Sequence, residues 1–302
     1  EAFGFYGTRI RGQQEQHATD DGVFIRSMAS RGALGGLLDA ALAGDRRREP
    51  WFLCPCCPPN IARVLASLGG YFYSTSVDAA WVHLYGSSTA TLDIAGRPVT
   101  LRQVTRYPWD GAVRITVEPA AAQRFTLHLR VPGWCTDWQV HINGEPLPDA
   151  APAANGYLAL TCEWQPGDVV ELDMAMPIRT VYPHPAIRQL QGRVALQRGP
   201  LLYCLEAADH GAADGALDRL SVDPAAVTGG QFVHEYRPDL LGGVIVLRGP
   251  GRATDAADWA EGDLYRTEPP AARAIDLLAV PYYAWANRTP GEMRVWLRAA
   301  AL

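Results

Sequence analysis

The spacing of apolar residues divides the chain. From about residue 71 onward, short β-rich runs alternate apolar and polar positions. Residues 112–117 (AVRITV) and 125–131 (FTLHLRV) keep a period of two, which turns one side of each strand toward a core. Residues 81–85, 138–142 and 169–174 read as further strands. Asn143-Gly144, Asn155-Gly156 and Pro166-Gly167-Asp168 are turn signals between them. Strands this short, with no helical period between them, predict an antiparallel β-sandwich, because each has one apolar face to bury and one polar face to leave wet. A second β-rich block follows Pro177. Residues 194–196 and 201–205 pair around Arg198-Gly199-Pro200, and residues 243–247, 279–283 and 293–297 continue the block. Residues 207–230 and 250–273 are rich in Ala, Asp and Gly and read as loops.

Helical periodicity occurs only ahead of these blocks. Leu34, Leu37, Leu38 and Leu42 suggest a short helix over residues 33–43, stopped by Gly44. Residues 58–70 carry a clearer one. Ile61, Val64, Leu65 and Leu68 fall at i, i+3, i+4 and i+7, after Pro58-Pro59 in a first turn that tolerates proline, and Gly69-Gly70 ends it. Four apolar positions on one face predict packing against another helix or sheet.

Composition narrows the function classes. The 302 residues are 48% hydrophobic and 20% charged, ordinary values for a globular protein of about two domains. Every basic residue is arginine, so no lysine base or Schiff base is available. Net charge is −5 and the arginines are scattered, which argues against a nucleic-acid partner. Arg46-Arg47-Arg48, beside Asp45 and Glu49, reads as a solvated turn. No apolar run is long enough to cross a membrane as a helix.

The cysteines are distinctive. Cys54, Cys56 and Cys57 crowd into four positions just before the helix of residues 58–70. Adjacent cysteines do not readily bridge each other, so metal binding or reactive thiol chemistry stands beside simple packing as a reading. A helix N-terminus favours a thiolate there. Reduced thiols point to a cytoplasmic setting. A closed zinc site needs four protein ligands, and no second CxxC or His-x-His cluster completes one. Cys135, Cys162 and Cys204 stand alone and read as packing residues.

Residues 49–73, EPWFLCPCCPPNIARVLASLGGYFY, resemble the signature of glycoside hydrolase family 127, the β-L-arabinofuranosidases. Residues 129–135 (LRVPGWC), 192–206 (GRVALQRGPLLYCLE) and 281–297 (PYYAWANRTPGEMRVWL) are similar to further family motifs, in the family's order. The resemblance covers roughly residues 48–302. It implies a mainly β chain: a helical remnant of an (α/α)6 catalytic barrel over 1–72, then antiparallel β-sandwiches over 73–178 and 179–302. It also implies that Cys56 is the nucleophile of a retaining mechanism. Zinc is then held by Cys56, Cys57 and an upstream Glu and Cys, and a further upstream Glu is the acid/base. Trp51 becomes a candidate to line the pocket for an L-arabinofuranoside, Asn60 a helix cap, and the C-terminal sandwich a contact between copies.

Only 55 residues precede Cys56, and Glu1, Glu15 and Glu49 match none of the upstream roles. Residue 1 is not Met, and residues 1–48 do not show the family's pattern. The expectation is therefore a fragment of a glycosidase, from a truncated or frame-disturbed gene, that is inactive alone. Two other classes stay open. One is a non-catalytic carbohydrate-binding or interface module that stacks sugars on Trp81, Trp109, Trp134 or Trp138. The other is a thiol or metal-handling protein built on the cysteine cluster.

Overall fold

A computed structural model describes residues 56–148, 151–211, 216–254 and 264–300. The predicted helix over 33–43 and Trp51 lie outside these residues. The chain separates into two compact units, one of Pro59–Pro177 with Gly199–Leu201, the other including Ile178–Arg198 and Leu202–Leu302.

Helix α1 (Cys57–Ser67), which lies in the first unit from Pro59 onward, and the short α2 (Gly69–Phe72) come first. The two glycines follow α1 but start a further helical turn, because Leu68, between α1 and α2, keeps αR angles. Strands β1 (Tyr73–Thr75), β2 (Ala79–Val82), β3 (Ser88–Ile94), β4 (Arg97–Thr105), β5 (Ala112–Pro119), β6 (Gln123–Arg130), β7 (Trp138–Ile142), β8 (Glu145–Pro146), β9 (Tyr157–Trp164) and β10 (Asp168–Met174) follow. They form two sheets, ordered β1-β2-β6-β9 and β3-β4-β5-β10-β7-β8. Alternate residues of β5, β6 and β9 are buried. Ile115, Leu127, Leu129, Leu158, Trp164 and Leu172 belong to the single core cluster that results. The predicted strand over 81–85 shifts to Ala79–Val82. Here β2 runs parallel to β6, with Ala79 opposite Thr126. This is the one departure from antiparallel pairing in the unit; β3, β4 and β5, which lie between the two strands in sequence, belong to the other sheet.

The second unit holds β11 (Ile178–Val181), β12 (Arg193–Arg198), β13 (Leu201–Glu206), helix α3 (Ala207–His210), β14 (Leu220–Val222), helix α4 (Pro224–Thr228), β15 (Val233–Arg237), β16 (Val244–Thr254), β17 (Ala272–Pro281), β18 (Met293–Arg294) and β19 (Leu297–Ala299). Its strands make one continuous nine-stranded sheet, not two separate ones. The β12–β13 pairing joins the ladder β12-β19-β14-β16-β17-β13 into a ring, and β14 pairs β19 in parallel. Residues 207–230, read from sequence as a loop, hold α3, β14 and α4, whose first turn is capped by Asp223 accepting from the Ala225 amide.

Residues 250–254 and 272–273 are likewise strand and not loop. The misleading signal was Gly249-Pro250-Gly251. These glycines serve close packing: a Cβ on Gly249 would lie 2.5 Å from the Phe232 ring, and one on Gly251 equally near Leu277. Pro250 sits where β16 changes partner, between the β15 pairing that ends at Arg248 and the β14 pairing that starts at Arg252.

A buried ion cluster fastens the 284–292 segment. Arg288 Nη2 donates to Glu206 Oε2 at 2.6 Å and to Asp209 Oδ2 at 2.5 Å, and the Ala286 amide donates to Glu206 Oε1 at 2.7 Å. Glu206 and Arg288 side chains are 6% and 18% exposed, so removing one partner strands the others in a poorly solvated place. Arg288→Ala should cost about 3–5 kcal/mol in urea unfolding. In the first unit, Leu127→Ala should cost about 2–5 kcal/mol, since Leu127 is fully buried.

Candidate functional site

The cysteine pair sits where the helix begins. Cys57 is the first residue of α1, half-buried, and Cys56 before it is exposed. Pro58 and Pro59 occupy the first turn, where their missing N–H groups leave no helical hydrogen bond unmade. The two Sγ atoms are 3.8 Å apart. Two sulfurs on a tetrahedral zinc with bonds of about 2.3 Å stand about 3.8 Å apart, so this pair fits two corners of such a site. Among the described residues, no cluster of three or more His, Cys, Asp or Glu forms around any point.

Asn60 does not cap the helix. It lies inside α1, and its Oδ1 accepts from Arg63 Nη1 at 3.5 Å. The apolar stripe is formed as predicted, yet none of the α1 residues is buried; Val64 and Leu65 are 39% and 55% exposed. The described residues supply no partner that covers it.

At its C-terminal end this helical segment meets the sandwich. Val64, Leu68, Tyr71, Ser74 and His83 help line an open cavity of about 580 Å³. Beside it runs a polar chain: His83 Nε2 lies 2.8 Å from Ser74 Oγ, and His83 Nδ1 lies 2.6 Å from Tyr157 Oη. Sequence reasoning missed this chain, because its members are far apart in order and meet only through the β1-β2-β6-β9 sheet. Burial, and secondly the Arg130 charge, hold His83 below its ordinary value of 6.5.

The tryptophan candidates and the lone cysteines differ in burial. Trp134 and Trp138 pack partly against the core cluster, and Trp81 stacks on His128 at 3.6 Å with Tyr157 against its edge. Trp109 is 38% exposed. Cys135 and Cys204 are buried, and Cys162 packs half-buried against the core, where burial raises its thiol pKa.

A chain of two β-rich units, with a thiol pair heading a helix before them, defines a β-sheet protein with a candidate metal–thiolate site. Two family models match it: the "Beta-L-arabinofuranosidase, GH127 middle domain" over residues 79–176 and the "Glycoside hydrolase family 127 C-terminal domain" over 178–298. The chain belongs to glycoside hydrolase family 127. It is 36% identical over 259 residues to a non-reducing end beta-L-arabinofuranosidase of Bifidobacterium longum subsp. longum, covering 83% of this chain. It spans 38% of that relative's length. A GH127 beta-L-arabinofuranosidase structure from Geobacillus stearothermophilus T6 matches at 44% identity and a TM-score of 0.78, over 84% of this chain and 39% of that one. A GH127 beta-arabinofuranosidase structure matches at 32% and 0.72, over 84% and 40%.

The depressed His83 gives a pH signature. Unfolded, the imidazole takes up its proton as pH falls through about 6.5; folded, it does so only at lower pH, so stability falls from about that pH downward. His83→Gln should show a shallower loss of melting temperature on acidification from about pH 7 to pH 5 than the parent. Equal slopes would contradict this.

Proposed function

We propose that this chain carries the nucleophile of a retaining β-L-arabinofuranosidase, the activity for which its relatives are named. The observation that carries the reading is the Cys56–Cys57 pair at the start of α1, with sulfurs at zinc-edge separation, ahead of the two family-127 domains. The substrate class is a terminal L-arabinofuranoside. Cys56 is the nucleophile and, with Cys57, holds zinc. The bound ion would supply positive charge that keeps both thiols ionised.

The Cys56 thiolate attacks the anomeric carbon as the glycosidic C–O bond breaks, and a carboxylic acid protonates the departing oxygen. Water then displaces the sulfur from the same carbon and gives its proton to that carboxylate. Two displacements leave the configuration retained. The family resemblance assigns the acid/base and the other two zinc ligands to residues upstream of the cysteines. All glutamates among the described residues lie downstream of Cys57. The described residues therefore supply the nucleophile and, in Cys56 and Cys57, two of the four zinc ligands. The exposed stripe of α1 supports the same view: Ile61, Val64, Leu65 and Leu68 suit a neighbouring helix of an (α/α)6 barrel, with α1 as its remnant. A thiolate nucleophile also suits a reducing, cytoplasmic setting.

Cobalt(II) in place of zinc tests the site. The reduced chain should develop thiolate-to-cobalt absorption in the near ultraviolet, which Cys56→Ser and Cys57→Ser each weaken. No absorption in the parent, or the same absorption in both variants, would count against the metal site. The chain alone should not hydrolyse an aryl β-L-arabinofuranoside. Turnover would show that its active site is complete, and turnover that survives Cys56→Ser would exclude Cys56 as nucleophile.

A further inference from the structure

Helix α1 buries none of its own residues, and its far end is where the sandwich holds it. Three consecutive residues there are gripped. The Phe72 carbonyl accepts from the His83 amide at 2.8 Å, and the Phe72 ring lies so close to Gly86 that a Cβ there would stand 3.0 Å from it. Ser74 Oγ is held by His83 Nε2. Tyr73, the first residue after α2, reaches across the sandwich: its Oη is 2.6 Å from Gln103 Nε2 and 2.9 Å from Ser88 Oγ.

The proton directions in this network follow from its ends. Gln103 Nε2 donates to the Leu84 carbonyl at 3.3 Å as well as to Tyr73 Oη, which fixes the orientation of the amide. Ser88 Oγ donates to the Gly86 carbonyl at 2.9 Å, so it must accept from the Tyr73 hydroxyl. The chain runs from Gln103 through Tyr73 and Ser88 to Gly86. Gln103 is 1% exposed, and its Oε1 has no partner in the structure. A buried amide with one orphaned atom stabilises a core less than an apolar residue of its size. Its presence in β4 therefore calls for a use, and what its nitrogen does is hold Tyr73.

We infer that Tyr73 and Gln103 are positioning residues for the cysteine pair, acting through α1; the inference rests on Cys56 being the nucleophile. The lever is long. Tyr73 lies sixteen residues along a nearly continuous helix from Cys57, about 24 Å at 1.5 Å per residue. A tilt of about 5° at the joint moves the cysteine end by about 2 Å. Misplacement by about 1 Å is enough to cost a reaction on the order of a hundredfold. The buried hydroxyl–amide joint limits that tilt. The β1–β2 ladder and the Phe72 carbonyl hold the backbone of the joint to its own sheet, and the two hydrogen bonds of Tyr73 add the restraint from the opposite sheet.

Hydrogen–deuterium exchange on the whole 302-residue chain tests the joint. In Tyr73→Phe, which removes one oxygen and keeps the ring, α1 and α2 amides should exchange about tenfold faster, while β5 and β10 amides keep their rates. Gln103→Leu, which mends the orphaned oxygen, should loosen the helices in the same way without lowering the melting temperature. Unchanged helix rates in both variants overturn the proposal. So does acceleration shared equally by β5 and β10, which marks a purely structural role. Cys56→Ser should exchange like the parent. Cobalt absorption unaltered in Cys56→Ser would sink the reading of the thiol while leaving the joint intact, so the two failures are separable.

Discussion

The longer strands of the first unit each have one apolar face, and much of what surrounds them follows from burying it. Ile115, Leu127, Leu129 and Leu172 are at most 1% exposed, and they come from both sheets. Closing the two sheets over these residues leaves almost no place for a polar group, which makes the exceptions informative. Gln103 and Gln123 are the buried amides in this core. Gln123 Nε2 donates to the Ile94 carbonyl and so ties β6 to the end of β3 across the two sheets. Gln103 does the same for β4 and the helix–strand joint. Both pair their nitrogens and leave Oε1 without a partner. In each case specificity of sheet-to-sheet alignment is obtained at the expense of a little stability.

The second unit meets the same demand differently. Its ladder returns on itself through β12 and β13, so most interior strands have hydrogen-bonded neighbours on both sides. The segment between β17 and β18 is then fastened by charge. Arg288 uses its planar fork on two carboxylates at once, a task a lysine could not perform with the same geometry. In a chain that has no lysine, such bidentate joints are the natural form of ion pairing.

Strands β5, β6, β7 and β10 were legible because their apolar residues alternate strictly and are bounded by Gly turns. Strands β3 and β4 were not, since Thr, Ser, Arg and a proline mask the alternation that their buried residues Ile94, Val99 and Leu101 still show. The middle of β16 was hidden by glycines that serve packing and not turning. Ring closure and parallel pairing have no local signature at all. Of the candidate site, the thiols were legible as a cluster with helix-start context. The Tyr73–Gln103 joint was not, because thirty residues separate its members and, although Tyr73 ends the 49–73 motif, nothing in the sequence pairs it with Gln103.

A thiol pair on a helix that buries nothing of itself poses a mechanical problem that the sandwich is suited to solve. A carboxylate nucleophile on a core strand inherits the rigidity of that strand. A cysteine at a helix N-terminus gains its anionic bias from the helix, but only if the helix axis stays fixed. Among the described residues nothing packs along the apolar stripe, so rotation about the helix end is resisted where the helix joins the sandwich. Directional hydrogen bonds at Tyr73, reaching through to the opposite sheet, resist that rotation with few atoms. The sandwich of the first unit is in this way the body from which the helix that carries the thiol pair projects.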